Sequence, residues 1–253
     1  MIVKTEAIVL RSMKYRETSK IVTLYTRKFG KLSAVAKGAR DMKNKFGAAL
    51  EPMSYVSIVL YKKENRELQL LTQSALIKPF LNLTNHIERL AVGMSIVELM
   101  NQVMHDEEEN ELLFRLLVDT LDTLNDVEKN YDNLLYGFQL RLATLLGFKP
   151  EFTNCTICGE TIVTDSEKIP YDLSRGGGLC ARCAEHYGSG HVISLQGFRV
   201  LERLSSTRMD ALTNIVLSER LKTEVEETLM QYLKYHIEGL QNLKTMAVFA
   251  KMV

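Results

Sequence analysis

The sequence predicts an α+β protein of several domains: a small five-stranded barrel first, then helices interrupted by an inserted four-cysteine ribbon. Three observations predict it. The first eighty residues alternate short β-branched runs with charged or Gly-containing turns. From residue 82 the apolar residues recur at helical spacing. The chain's only four cysteines form two Cys-x-x-Cys pairs, Cys155 with Cys158 and Cys180 with Cys183, and 21 residues lie between the pairs.

The strands are read in order. Ala7–Leu10, Ile21–Tyr25 and Leu32–Ala36 are short apolar runs, separated by turns such as Phe29-Gly30-Lys31. Tyr55–Tyr61 sets Val56, Ile58 and Leu60 on one face at period two. A fifth run, Glu67–Ile77, stops before Pro79. Five strands in about eighty residues are too few for a sandwich and suit a closed barrel of the OB type. Gly38–Glu51 then falls where such a barrel carries a helix or a long loop.

Helices follow. Asn85 with Glu88 reads as a capping pair ahead of Ile87, Leu90, Ala91, Met94 and Val97. The acidic run Asp106–Glu109 reads as a solvated turn and helix start. Leu112, Leu113, Leu116, Leu117, Leu121 and Leu124 mark a second helix. Tyr131, Leu134, Leu135, Phe138, Leu142 and Leu145 mark a third, stopped by Gly147 and Pro150. Arg175-Gly176-Gly177-Gly178 reads as the turn of a hairpin in the ribbon. Ser194 is a good N-cap for the next helix, and Leu221, Val225, Leu229, Tyr232, Leu233 and His236 stripe the last one, with His236 a satisfied interior histidine. The expected boundaries are 1–80 for a basic OB-fold domain and 81–151 for the first part of a helical domain. The zinc-binding ribbon is expected at 152–190 and the second helical part at 191–253.

Cysteines two residues apart on a tight turn fit adjacent corners of a tetrahedron, and a second pair closes the shell. Cys155, Cys158, Cys180 and Cys183 are therefore the expected ligands of a structural Zn²⁺, with no position open to a substrate. A disulfide, a redox dithiol and idle thiols are the alternatives, and His186 and His191 are candidate substitute ligands. The start of the chain resembles no signal peptide, and no apolar stretch approaches the ~18 residues of a membrane span. A cytoplasmic, nucleoid-associated protein without membrane contact is expected. No phosphate-binding loop, dinucleotide fingerprint, His-Glu-x-x-His or Gly-x-Ser-x-Gly motif occurs, so the chain is not read as an enzyme.

The net charge of +1 conceals an asymmetry. Residues 1–80 hold 16 Lys and Arg against 6 Asp and Glu, whereas residues 81–150 hold 5 against 12. A basic module attached to acidic ones points to a polyanionic partner. Its cations crowd into one stretch, from Lys14, Arg16, Lys20, Arg27, Lys28 and Lys31 to Lys37, Arg40, Lys43 and Lys45. Tyr15, Tyr25, Phe29 and Phe46 lie between them, and Tyr55 and Tyr61 follow. Cations that track phosphates and rings that stack on bases are what a single strand needs. The alternative is an adaptor whose basic barrel binds the acidic tails of other proteins.

The residues Arg16–Thr26, Phe29-Gly30-Lys31, Ala34–Arg40 and Ala49-Leu50-Glu51-Pro52 resemble the RecO family of bacterial recombination mediators. So do Leu146–Glu151 and the two cysteine pairs, and the resemblance spans essentially the whole chain. It implies binding of single- and double-stranded DNA and annealing of complementary strands. It also implies help in loading RecA recombinase onto strands coated by single-stranded DNA-binding protein. RecR and single-stranded DNA-binding protein are the implied partners, with RecF in the same repair pathway. Lys37 and Arg40 match a basic motif of the family and are the first DNA contacts it implies. Arg16, Lys20, Arg27, Lys31, Lys43 and Lys45 complete the expected set. Asp41 departs from the family pattern, which often continues with another basic residue.

Overall fold

The computed structural model describes residues 1–41, 44–64, 66–105, 108–188 and 190–245. They divide into two compact units, Met1–Asp126 joined by the C-terminal segment from Leu243, and Val127–Asn242.

The first unit opens with five strands: β1 (Ile2–Tyr15), β2 (Ser19–Thr26), β3 (Gly30–Ala36), β4 (Tyr55–Tyr61) and β5 (Leu68–Lys78). They form a closed barrel in the order β1-β2-β3-β5-β4, which is the OB arrangement. Every pairing is antiparallel except β3 with β5, whose parallel register runs from Ser33↔Leu68 to Ala36↔Leu71. β1 is long enough to serve two neighbours, pairing Ile2–Ile8 with β4 and Ala7–Tyr15 with β2. Beyond Ile8 the hairpin of β1 and β2 therefore projects past β4. Period-two alternation fills the interior: Leu32, Ala34 and Ala36 from β3 meet Val56, Ile58 and Leu60 from β4. Instead of a regular helix, the described residues between β3 and β4 form a chain of turns, whose Ala39, Phe46, Ala49 and Leu50 cap the core.

This unit also holds the helices α1 (Ile87–Val103) and α2 (Glu111–Asp126). The expected capping pair does not form. His86 is the N-cap of α1 and accepts no side-chain cap bond, while the Asn85 amide donates to Asn82 Oδ1 at 3.3 Å. Asn82 sits in a 3₁₀ turn, Leu81–Thr84, that absorbs the residues which a longer helix would have used. The start of α2 is capped by Asn110, whose Oδ1 accepts the Leu113 N–H at 3.0 Å. Leu113, Leu117, Leu121 and Leu124 are buried as the stripe requires, whereas Leu112 faces out. Of the acidic run, Glu108 and Glu109 are exposed, and Asp106 and Glu107 lie outside the described residues.

The second unit begins with α3 (Asp132–Leu145). Its end is a Schellman turn, in which Phe148 N–H reaches Ala143 O at 3.0 Å and Gly147 N–H reaches Thr144 O at 3.2 Å. A three-stranded sheet follows, ordered β7-β6-β8, from β6 (Lys168–Asp172), β7 (Gly177–Gly178) and β8 (His191–Ser194). Only part of the glycine run is turn. The turn proper is Leu173–Gly176, with Asp172 Oδ1 accepting from the Ser174 and Arg175 N–H groups, and Gly177 and Gly178 are strand. Both are glycine because of crowding: a Cβ would stand 2.3 Å from Glu151 O at Gly177 and 2.6 Å from Ile162 Cδ1 at Gly178.

Helices α4 (Ala181–Tyr187), α5 (Leu195–Ser206) and α6 (Glu219–His236) complete the second unit. Ser194 caps α5 as expected, accepting from Gly197 N–H at 2.9 Å. His236 is half-buried, stacked on Phe148 with centroids 4.9 Å apart, and a ring nitrogen lies 2.9 Å from Leu173 O. Among the described residues no helix is long and apolar enough to cross a membrane.

Candidate nucleic-acid interface and metal centre

The β1–β2 hairpin gathers cations at one end of the barrel. Its register places Lys14 directly opposite Lys20, and β3 places Ala36 opposite Lys20 on the other side, so Lys37 leaves the sheet beside them. The tip is the turn Arg16–Thr18, with Arg16 in the left-handed region at φ 53°. Arg16 is exposed, and its guanidinium lies 5.2 Å from the centre of the Tyr15 ring. The loop after β3 folds onto this turn. Arg40 N–H donates to Thr18 O at 2.9 Å, and Arg40 Nη1 donates to Arg16 O at 3.1 Å and Glu17 O at 2.8 Å. Lys20 pairs with Glu51 at 2.8 Å. Lys14, Arg16 and Lys37 are exposed and have no acidic partner among the described residues. Lys45, farther along the same loop, lies over the Phe46 ring, and Asp41 is exposed.

Two expected contacts sit elsewhere. Arg27 and Lys31 lie at the far end of β2 and the start of β3, up to roughly 23 Å along the strand at about 3.3 Å per residue. Arg27 forms a fork on Glu111, 2.9 Å from Nε and 2.7 Å from Nη2, and its Nη1 reaches Glu6 at 3.3 Å. These bonds raise the pKa of Arg27, and those from Arg27 and then Arg115 hold the Glu111 carboxyl below the usual range. Lys31 is half-buried, with Nζ donating to Asn101 O at 2.9 Å and Met104 O at 2.7 Å. It thus caps the carbonyl end of α1, where a cation suits the dipole. Both residues hold the barrel to its helices. Lys43 lies outside the described residues.

The rings divide in the same way. Tyr25 and Phe46 are buried, and the Tyr25 hydroxyl is raised well above its ordinary pKa by burial and by nearby Glu108. Tyr55 packs edge-on against Phe114 and donates to Glu6 Oε2 at 2.8 Å; burial, then that bond, pushes its pKa up to about 12. Phe29 is half-buried beneath Lys62. Tyr15 is half-buried, and Tyr61, 40 % exposed, is the most open of the six.

In the second unit the four sulfurs of Cys155, Cys158, Cys180 and Cys183 converge within 4.8 Å of one another. Two local structures bring them there. The first pair rides a hairpin knuckle, with Cys155 N–H on Glu160 O and Gly159 N–H on Cys155 O, both 2.8 Å. Gly159 turns the chain at φ 75°, a conformation strained for any side chain. The second pair opens α4, Cys180 as its N-cap and Cys183 in its first turn. The Cys158 and Cys180 sulfurs are 3.8 Å apart, and a tetrahedron with metal–sulfur bonds of about 2.3 Å has edges of about 3.8 Å. Burial works against ionising Cys155, yet N–H groups of Cys158, Cys180 and Ile157 outweigh it and lower its thiol to about 6. Arg182 ties the knuckles together through Glu160 at 3.0 Å. The four cysteine sulfurs are thus a closed donor set able to hold a metal ion. His186 and His191 are exposed and stand outside the cluster.

Comparison with known proteins covers both halves of the chain. The family model described as Recombination protein O N terminal matches residues 1–80, and that described as Recombination protein O C terminal matches residues 84–246. The DNA repair protein RecO of Chloroherpeton thalassium is 35 % identical over 261 residues, covering 100 % of both chains. Its counterpart from Salinibacter ruber is 34 % identical over 99 % of this chain and 94 % of its own. A more distant one, from Alkaliphilus metalliredigens, is 30 % identical over the full length of both. Matched from barrel to last helix by both family models and by full-length relatives, this chain belongs to the RecO family.

Proposed function

We propose that the protein is a recombination mediator in DNA repair. It binds single- and double-stranded DNA, anneals complementary strands, and helps load RecA recombinase onto strands coated by single-stranded DNA-binding protein. Its relatives are named DNA repair proteins, and family membership supports RecR and single-stranded DNA-binding protein as partners and RecF as a member of the same pathway.

One observation carries the DNA reading: the projecting hairpin sets Lys14 against Lys20, with Arg16 at its tip and Lys37 alongside. Like charges directly opposite one another weaken a strand pair. Glu51 offsets only Lys20, so the remaining charge is relieved by a polyanion. Phosphates of a single strand satisfy it, and each one neutralised releases counterions. Annealing follows from the same field, which screens the repulsion between two strands and concentrates them on one surface. Cys155, Cys158, Cys180 and Cys183 would hold Zn²⁺, which supplies a structural crosslink with no open coordination position.

The test is annealing of complementary oligonucleotides coated with single-stranded DNA-binding protein, followed by fluorescence. The protein should speed annealing, and the double variant Arg16→Ala, Lys37→Ala should lose most of that acceleration. Wild-type annealing by the double variant would place the DNA surface elsewhere.

A further inference from the structure

Arg40 differs from the other cations of the pole in where its charge is directed. Its backbone N–H and its Nη1 are both committed to the β1–β2 turn, bonding the carbonyls of Thr18, Arg16 and Glu17. Three successive turn carbonyls are thus gathered by one residue that lies more than twenty positions along the chain. The turn needs such a tie. Arg16 occupies left-handed backbone space, which is strained for a residue with a Cβ and persists only when its surroundings enforce it. The hairpin also extends beyond the part of β1 that β4 supports, and past Val9, which bonds Ser54 and Met53, no second strand pairs with β1 among the described residues.

We propose that Arg40 is a positioning residue: it latches the β1–β2 turn so that Arg16, in its strained conformation, presents its guanidinium to the phosphate backbone. The inference rests on the DNA reading above and deepens it by separating the residue that touches phosphate from the one that holds it in place. Arg40 carries the charge a phosphate contact needs, so affinity alone does not separate the two roles.

A double-mutant cycle separates them. Single-strand affinity is measured across a salt series for the wild type, Arg16→Ala, Arg40→Ala and the double variant, with trypsin cleavage after Arg16 followed on each chain that retains it. A single-strand phosphate contact contributes about 0.7 to the slope of log K against log salt. The latch predicts that each single variant loses about 0.7 and that the double variant loses no more. It also predicts faster cleavage after Arg16 in Arg40→Ala than in the wild type, at an unchanged melting temperature. Additive slope losses, about 1.4 in the double variant, would make Arg40 a phosphate contact itself and overturn the proposal. So would an Arg40→Ala variant with wild-type slope, or a slope loss in Arg40→Ala that Arg16→Ala does not share. If the wild type shows no salt-dependent binding, the DNA reading fails and this inference with it. Faster cleavage would then still show the turn to be tied.

Discussion

At the scale of single residues, identity and role part company. Arg16, Arg27, Lys31 and Arg40 look alike in the sequence, yet Arg27 and Lys31 join strand to helix, Arg40 ties a turn, and Arg16 faces outward. Lys31 finds its acceptors 70 and 73 positions away, and Arg27 finds Glu111 at a separation of 84. Nothing in local spacing reports partners so remote, which is why the cation cluster was legible while the division of labour within it was not. The cysteines are the opposite case. Their pairing depends on two-residue spacing within a knuckle, and all four converge as that spacing predicts. We expect Cys158→Ser to reduce bound zinc, read by elemental analysis, and to lower the melting temperature, because a structural metal contributes directly to folding. Full occupancy in that variant would require another ligand.

At the scale of elements, strands were easier to read than helix ends. Alternation in β3 and β4 gives the inward face directly, since period two has a single reading when one side is buried. The start of α1 was misread because Asn82, three residues before Asn85, takes that amide into a 3₁₀ turn and leaves His86 at the boundary. Ser194 was read correctly because its hydroxyl has a local target, Gly197 N–H. Between elements, the Arg27–Glu111 fork joins the β2–β3 turn to α2 and gives a pH dependence. Glu111 is depressed in the folded protein, so its contribution is fully present above the ordinary Glu pKa of about 4.3. It is lost as pH falls through the lowered folded value. Carbon-detected titration should place the Glu111 carboxyl below other exposed glutamates, and Arg27→Ala should move it back toward the ordinary value. An unmoved titration would mean that Arg27 does not hold it.

For the molecule as a whole, the hairpin end of the barrel leaves Lys14, Arg16 and Lys37 exposed without acidic partners among the described residues, while at the other end Arg27 and Lys31 are tied to the helices and Lys28 is exposed. The excess of cations in residues 1–80 was visible in composition, but its division between two poles needed the barrel's register. The direct measurement is the salt dependence of single-strand binding for two variants of equal charge change. One is Lys14→Ala with Lys37→Ala at the hairpin pole, and the other is Arg27→Ala with Lys31→Met at the helix-facing pole. Loss of two single-strand phosphate contacts should reduce the slope of log K against log salt by about 1.4 in the first variant. The second should keep the wild-type slope while melting at a lower temperature. Equal slope losses in the two variants, or a loss confined to the second, would contradict a DNA surface at the hairpin end.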